Sequence, residues 1–142
     1  MSKFYCVAVA ALLLSGTQGA LAATAAQAGT YIGTLKTKVR TASAITSVKT
    51  TMKVEIALDD TTTVTINNIP QTLGTTLFGT NECIFAFADP TVTGSITDIS
   101  LATGKFKNTT LSGATSSLTT DSALSSDILL KTSTGKFKLK KQ

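Results

Sequence analysis

Residues able to act on a substrate are few in this sequence. The carboxylates are Glu55, Asp59, Asp60, Glu82, Asp89, Asp98, Asp121 and Asp127, and histidine is absent. Without imidazole the chain lacks the commonest proton shuttle near neutral pH and the commonest transition-metal ligand. Acid–base work would fall to paired carboxylates, and their spacing singles out no pair. Serine and threonine are abundant, yet no neighbouring base can be assigned to any of them from spacing. The expectation is a protein without enzymatic activity and without a cofactor or metal. Asp59-Asp60 could offer oxygens to calcium, but such a site needs several further ligands. The pair reads better as a polar turn between two strands, and Asp89-Pro90 as another turn.

The two cysteines have different settings. Cys6 lies inside an N-terminal apolar run, which leaves Cys83 alone in the remainder of the chain. A lone cysteine excludes an internal disulfide there. Its neighbours in the stretch CIFAFA are apolar, so the favoured reading is a buried thiol acting as a small hydrophobe. An intermolecular disulfide through Cys83 is the second candidate. A catalytic thiol comes last, since neither histidine nor a CxxC pair is present to activate it.

Lysine supplies the remaining chemistry. The string TGKFK occurs twice, as 103–107 and 134–138, and the second copy runs on into Leu139-Lys140-Lys141. Lys105, Lys107, Lys136, Lys138 and Lys140 are candidate contacts for an anionic partner, each presenting a point charge on a long stem. The competing reading, favoured for the last strand, is that these lysines guard an exposed or edge strand against unwanted pairing. In either case the glycine is expected to end a turn, the lysines to face water, and Phe106 and Phe137 to anchor in the core. Lysine and arginine number 13 against 8 acids, a net charge of +5, but Arg40 is the single arginine and tryptophan is absent. Nucleic acid is not the expected partner, because its recognition favours arginine forks and stacking aromatics. Acidic glycans and envelope or other anionic surfaces fit the mild positive field better. Asn108-Thr109-Thr110 matches a glycosylation acceptor, a triplet that chance produces readily in so threonine-rich a chain.

The elements that must position these residues are strands. Lys3, the apolar run from Phe4 to Leu14, and the small-x-small triplet Ala20-Leu21-Ala22 read as a signal peptide over 1–22, with cleavage as late as residue 28 as an alternative. Export to the cell surface or exterior is expected, with the periplasm as the alternative, and no later segment reaches transmembrane length. Residues 29–142 suit one domain. Met52, Val54, Ile56 and Leu58 alternate with Lys53, Glu55 and Ala57; Val64 and Ile66 alternate with threonines. Such period-two patterning marks half-buried strands, here joined as a hairpin. Further strands are predicted over 29–39, 83–88, 96–101, 105–111, 114–119, 127–131 and 136–140. CIFAFA, apolar on both faces, is the candidate central strand.

Many short strands with polar or glycine-bearing connections predict an antiparallel β-sandwich, with a small β-barrel as the alternative. The functional expectation is an exported, non-enzymatic structural or adhesive surface protein. Self-assembly into a homo-oligomer or fibre would proceed by Ala23–Ala28 carrying a strand to a neighbour. The alternative is a binding module for acidic glycans, envelope lipid or another anionic partner.

Overall fold

A computed structural model of the chain describes residues 23–58, 61–122 and 128–142. The proposed signal peptide, Cys6, Asp59-Asp60 and Asp127 lie outside the described residues. The strands are β1 (Gly29–Thr41), β2 (Ile45–Ile56), β3 (Thr62–Ile66), β4 (Ile69–Pro70), β5 (Thr72–Phe78), β6 (Glu82–Ala88), β7 (Ile96–Lys107), β8 (Thr110–Asp121) and β9 (Ile128–Lys141). They form one antiparallel sheet in the order β4-β3-β2-β1-β9-β8-β7-β6-β5. Neighbours in the sheet are neighbours in sequence everywhere except at the centre, where the first and last long strands pair.

The all-β expectation holds, but the sheet curls into a nearly closed barrel instead of dividing into two layers. β3 and β5 meet across the remaining gap, and the Gln71 amide donates to the Val64 carbonyl at 2.8 Å. A strongly coiled sheet needs places where backbone can approach backbone, and glycine provides them. At Gly113 a Cβ would lie 1.9 Å from the Thr103 carbonyl oxygen. At Gly104 it would lie 2.8 Å from Leu111 Cδ1 and 3.1 Å from Cys83 Sγ. Gly104 and Gly113 are cross-strand partners, and Phe137 stands opposite Gly113 from the other side. The β7 backbone itself takes the space a side chain at Gly113 would need, and Leu111, Cys83 and the edge of the Phe137 ring take that at Gly104.

Both TGKFK glycines therefore sit inside strands, Gly104 in β7 and Gly135 in β9, and neither ends a turn. The separate strands expected on either side of Gly104, Gly113 and Gly135 are continuous. The turns fall elsewhere. Asn108, between β7 and β8, has φ 56°; Asn67 and Asn68, between β3 and β4, have φ 51° and 64°. Two successive positive φ values define the type I′ hairpin turn, which asparagine tolerates.

The core gathers at one end of the barrel. Tyr31, Leu35, Met52, Val54, Val64, Phe78, Phe85, Leu111, Phe137 and Leu139 face one another there, with Phe106 packed against them. Phe106 lies edge-on to Tyr31, with ring centroids 5.8 Å apart. β6 sends Cys83, Phe85 and Phe87 into this core, while Ile84 is buried on the opposite face. CIFAFA is thus covered on both sides, although it lies next to the edge strand β5 rather than at the centre.

The segment before β1 closes the same end. Gln27 is buried, its amide donating to the carbonyls of Gly79 (2.8 Å) and Thr80 (3.0 Å), and the Tyr31 hydroxyl donates to the Gln27 carbonyl. Residues 24–28 are accordingly tied to the β5–β6 turn of their own domain, not held as a free extension.

Candidate functional site: a basic sheet face

Register decides which lysines stand together. Tyr31, Leu35, Met52, Val54, Phe137 and Leu139 point into the barrel, so the alternate residues of β1, β2 and β9 point out. The outward set comprises Lys36, Lys38 and Arg40 from β1, Lys49 and Lys53 from β2, and Lys136, Lys138 and Lys140 from β9. Lys36 is the cross-strand partner of Lys49 on one side and Lys136 on the other. Three ammonium-bearing residues thus occupy one rung, with strands about 4.8 Å apart. On the next rung along, Lys38 stands between Ser47 and Thr134. These residues and the intervening Thr37, Val48 and Gly135 line an open groove of about 610 Å³ across the three strands.

On these three strands the outward acid is Glu55, at the core end. Its carboxylate lies 2.7 Å from the Lys53 ammonium, which holds it below the usual carboxylate range through the hydrogen bond and then the charge. Glu55 offsets Lys53 and leaves the Lys49–Lys36–Lys136 rung without a nearby counter-charge among the described residues. The described distal carboxylates turn elsewhere. Asp98 shares the inward register with Ser100 and accepts from the Thr119 hydroxyl at 2.9 Å and the Asp89 amide at 3.3 Å. Asp121 accepts from the Ser95 hydroxyl at 2.7 Å.

The sequence-derived contacts divide over this face. Lys136, Lys138 and Lys140 belong to its centre. Lys105 and Lys107 on β7 point to the same side but are set apart by β8, whose Ser112 and Thr110 separate them from Lys138 and Lys140. The two TGKFK strings lie on parallel strands, displaced so that Lys105 stands level with Lys138. Lys36, Lys38, Arg40, Lys49 and Lys53 complete the face without having been singled out from the sequence. Their signal was the common phase of KTKVR with the lysines of β9, visible only once β1 and β9 are known to be adjacent.

The edge-guarding reading of these lysines does not survive the topology. β9 is paired on both sides along its length, as is β1, and the edge strands β4 and β5 contain no lysine. Negative design at an edge cannot account for charge placed at the centre of the sheet.

Cys83 is 1% exposed and faces the core. Burial pushes its thiol up to about 12, Glu82 adding to the effect and a backbone contact at Gly104 opposing it. Another chain's thiol could reach it only if the barrel opened. Among the described residues no group of three or more metal-ligating side chains comes together, and no helix is long and apolar enough to cross a membrane. Comparison with protein-family models, with curated proteins and with solved structures gives no match.

Proposed function

We propose that the protein is an exported, non-enzymatic binding module that holds an anionic partner against the outer face of β2, β1 and β9. The carrying observation is the Lys49–Lys36–Lys136 rung. Like charges directly opposite on neighbouring strands destabilise a sheet, so folding alone gives no reason to put three of them in register. A polyanion laid along the groove neutralises all three and turns a destabilising arrangement into a source of affinity. The same field accelerates encounter with a negatively charged partner and weakens as salt rises. Assembly by strand donation has less to recommend it, because residues 24–28 are occupied within their own domain.

Retention on a heparin column, read as the salt concentration at elution, tests this reading with two substitutions of identical net charge. Lys36→Glu inverts the centre of the rung and is expected to elute at clearly lower salt than the parent. Lys131→Glu changes a lysine whose register places it on the opposite face, opposite Thr41 and Thr119, and should elute close to the parent. Indistinguishable elution of the two variants would show that net charge, not the face, is responsible, and the proposal would fall.

A further inference from the structure

The core-distant end of the barrel carries large aliphatic side chains on its outer surface that no described residue covers. Ile45 on β2 is 61% exposed, Leu129 on β9 is 54% and Ile99 on β7 is 58%. All three point outward, on the side of the lysines: Ile45 opposite Arg40, Leu129 opposite Thr120, Ile99 opposite Leu118. The β1–β2 turn and the β6–β7 loop lie at this end, so the three project near the rim of the barrel. A rim of aliphatic residues continuous with a band of ammonium groups is the composition that binds an anionic interface, with apolar groups entering the acyl boundary and cations meeting headgroups.

Building on the anionic-partner reading, we infer that the partner is an anionic lipid surface, entered by Ile45, Leu129 and Ile99 while Lys36, Lys38 and Arg40 contact its headgroups. Self-association through this face is disfavoured by its own charges, since two copies would bring lysine against lysine. An acidic polysaccharide would use the lysines but leave the aliphatic rim idle. Among the described residues it would also find no aromatic ring to stack on, because Tyr31 and Phe78, Phe85, Phe87, Phe106 and Phe137 are all committed to the core. Among the described residues the acids of the distal end do not oppose the contact. Asp98 faces inward, and Asp89 and Asp121 are engaged with Thr91 and Ser95 on the β6–β8 side.

Co-sedimentation of the chain beginning at Ala23 with vesicles tests this; the described part of that chain contains the whole barrel, and it lacks the apolar run that could itself partition. Binding is expected to vesicles containing phosphatidylglycerol and not to pure phosphatidylcholine. Replacing one lysine of the face should weaken it about fivefold, and Ile45→Ser about tenfold. Ile45→Ser should leave retention on heparin unchanged, which separates insertion from charge and also reports that the variant is folded. An Ile45→Cys variant carrying a polarity-sensitive fluorophore should shift to the blue on phosphatidylglycerol vesicles. Retention on heparin without vesicle binding overturns the lipid assignment and leaves the anionic-partner reading standing. Failure on both overturns both. Vesicle binding untouched by Ile45→Ser, or an unshifted fluorophore, overturns the inserted rim.

Discussion

The two ends of the barrel are built by the same strands under opposite rules. At the core end, β1, β2 and β9 place Tyr31, Met52, Val54, Phe137 and Leu139 inward, and the Gln27 segment seals the opening. At the far end the inward positions become Thr37, Val39, Val48, Thr115, Ser117 and Ser133, and Ser117 and Ser133 bond to each other through their hydroxyls. Outward, the polar surface gives way to Ile45, Leu129 and Ile99. One end is thus apolar inside; the other mixes threonine and serine with valine inside and carries aliphatic residues on its outer rim. Long strands let a single sheet do both, with stability concentrated where the core is and the outer surface elsewhere released from that task.

If this division is real, substitutions at the two ends differ by an order of magnitude. Phe85→Ala, within the core, is expected to cost about 3–5 kcal/mol. Val48→Ala, on the far half of β2, should stay within about 0.5 kcal/mol. Denaturant unfolding of the pair measures the contrast, and equal losses would erase it.

Gly113→Ala probes the curl that brings the ends into one barrel. Its Cβ would meet the Thr103 carbonyl at 1.9 Å, backbone against backbone. A loss near the upper end of the roughly 1–3 kcal/mol range for overpacking is expected, again from denaturant midpoints. Ala114, next in sequence but outward and exposed, should accept serine at little cost.

The core end also has a pH signature. The folded thiol of Cys83 is raised to about 12 from an ordinary value of 9.0, so the folded state holds a proton that the unfolded state releases. Its contribution is complete below about pH 9 and is lost as pH climbs towards 12, at up to about 1.4 kcal/mol per pH unit for one group. Tyr31, raised by burial and then by Cys83, acts in the same sense. Stability measured between pH 8.5 and 11 should decline more steeply in the parent than in Cys83→Ala.

The smallest expected effect has the opposite sign. Lys36→Thr removes the middle charge of the rung and should raise stability by about 0.2–1 kcal/mol, while weakening retention on heparin. A stability gain joined to a binding loss is what a face kept for a partner predicts. A loss of both would assign Lys36 to the fold.

Much of the fold could be read from period-two patterning. Met52, Val54 and Ile56, then Val64 and the inward residues of β9, all lie on the faces their alternation implied. The closure into one barrel could not be read so, because a sandwich and a barrel ask for the same alternation and differ only in which edges meet. Glycine misled most directly. Gly104, Gly113 and Gly135 carry the signal that usually marks a turn, whereas here each permits close contact within a strand. β5 and the first half of β2, rich in threonine and weak in alternation, left no comparable mark. Only Lys136, Lys138 and Lys140 of the basic face were visible in the sequence, in and just after the second TGKFK copy. Lys36, Lys38, Arg40, Lys49 and Lys53 join them because β1 lies beside β9, a pairing between distant segments that no local pattern encodes.

That central pairing gives the molecule a late moment of completion. Strands β1 to β3 can zip locally, as can β5 to β8, but each group keeps an open long edge until β9 arrives between them. Closing so wide a chain loop costs only modestly more entropy than closing a short one, since the cost grows as the logarithm of length. It does delay the contacts that reward it, because distant pairings form late. A nascent or truncated chain short of β9 therefore presents two unfinished sheets with adhesive edges and no assembled lysine rung. The last strand is the keystone of both the barrel and its charge.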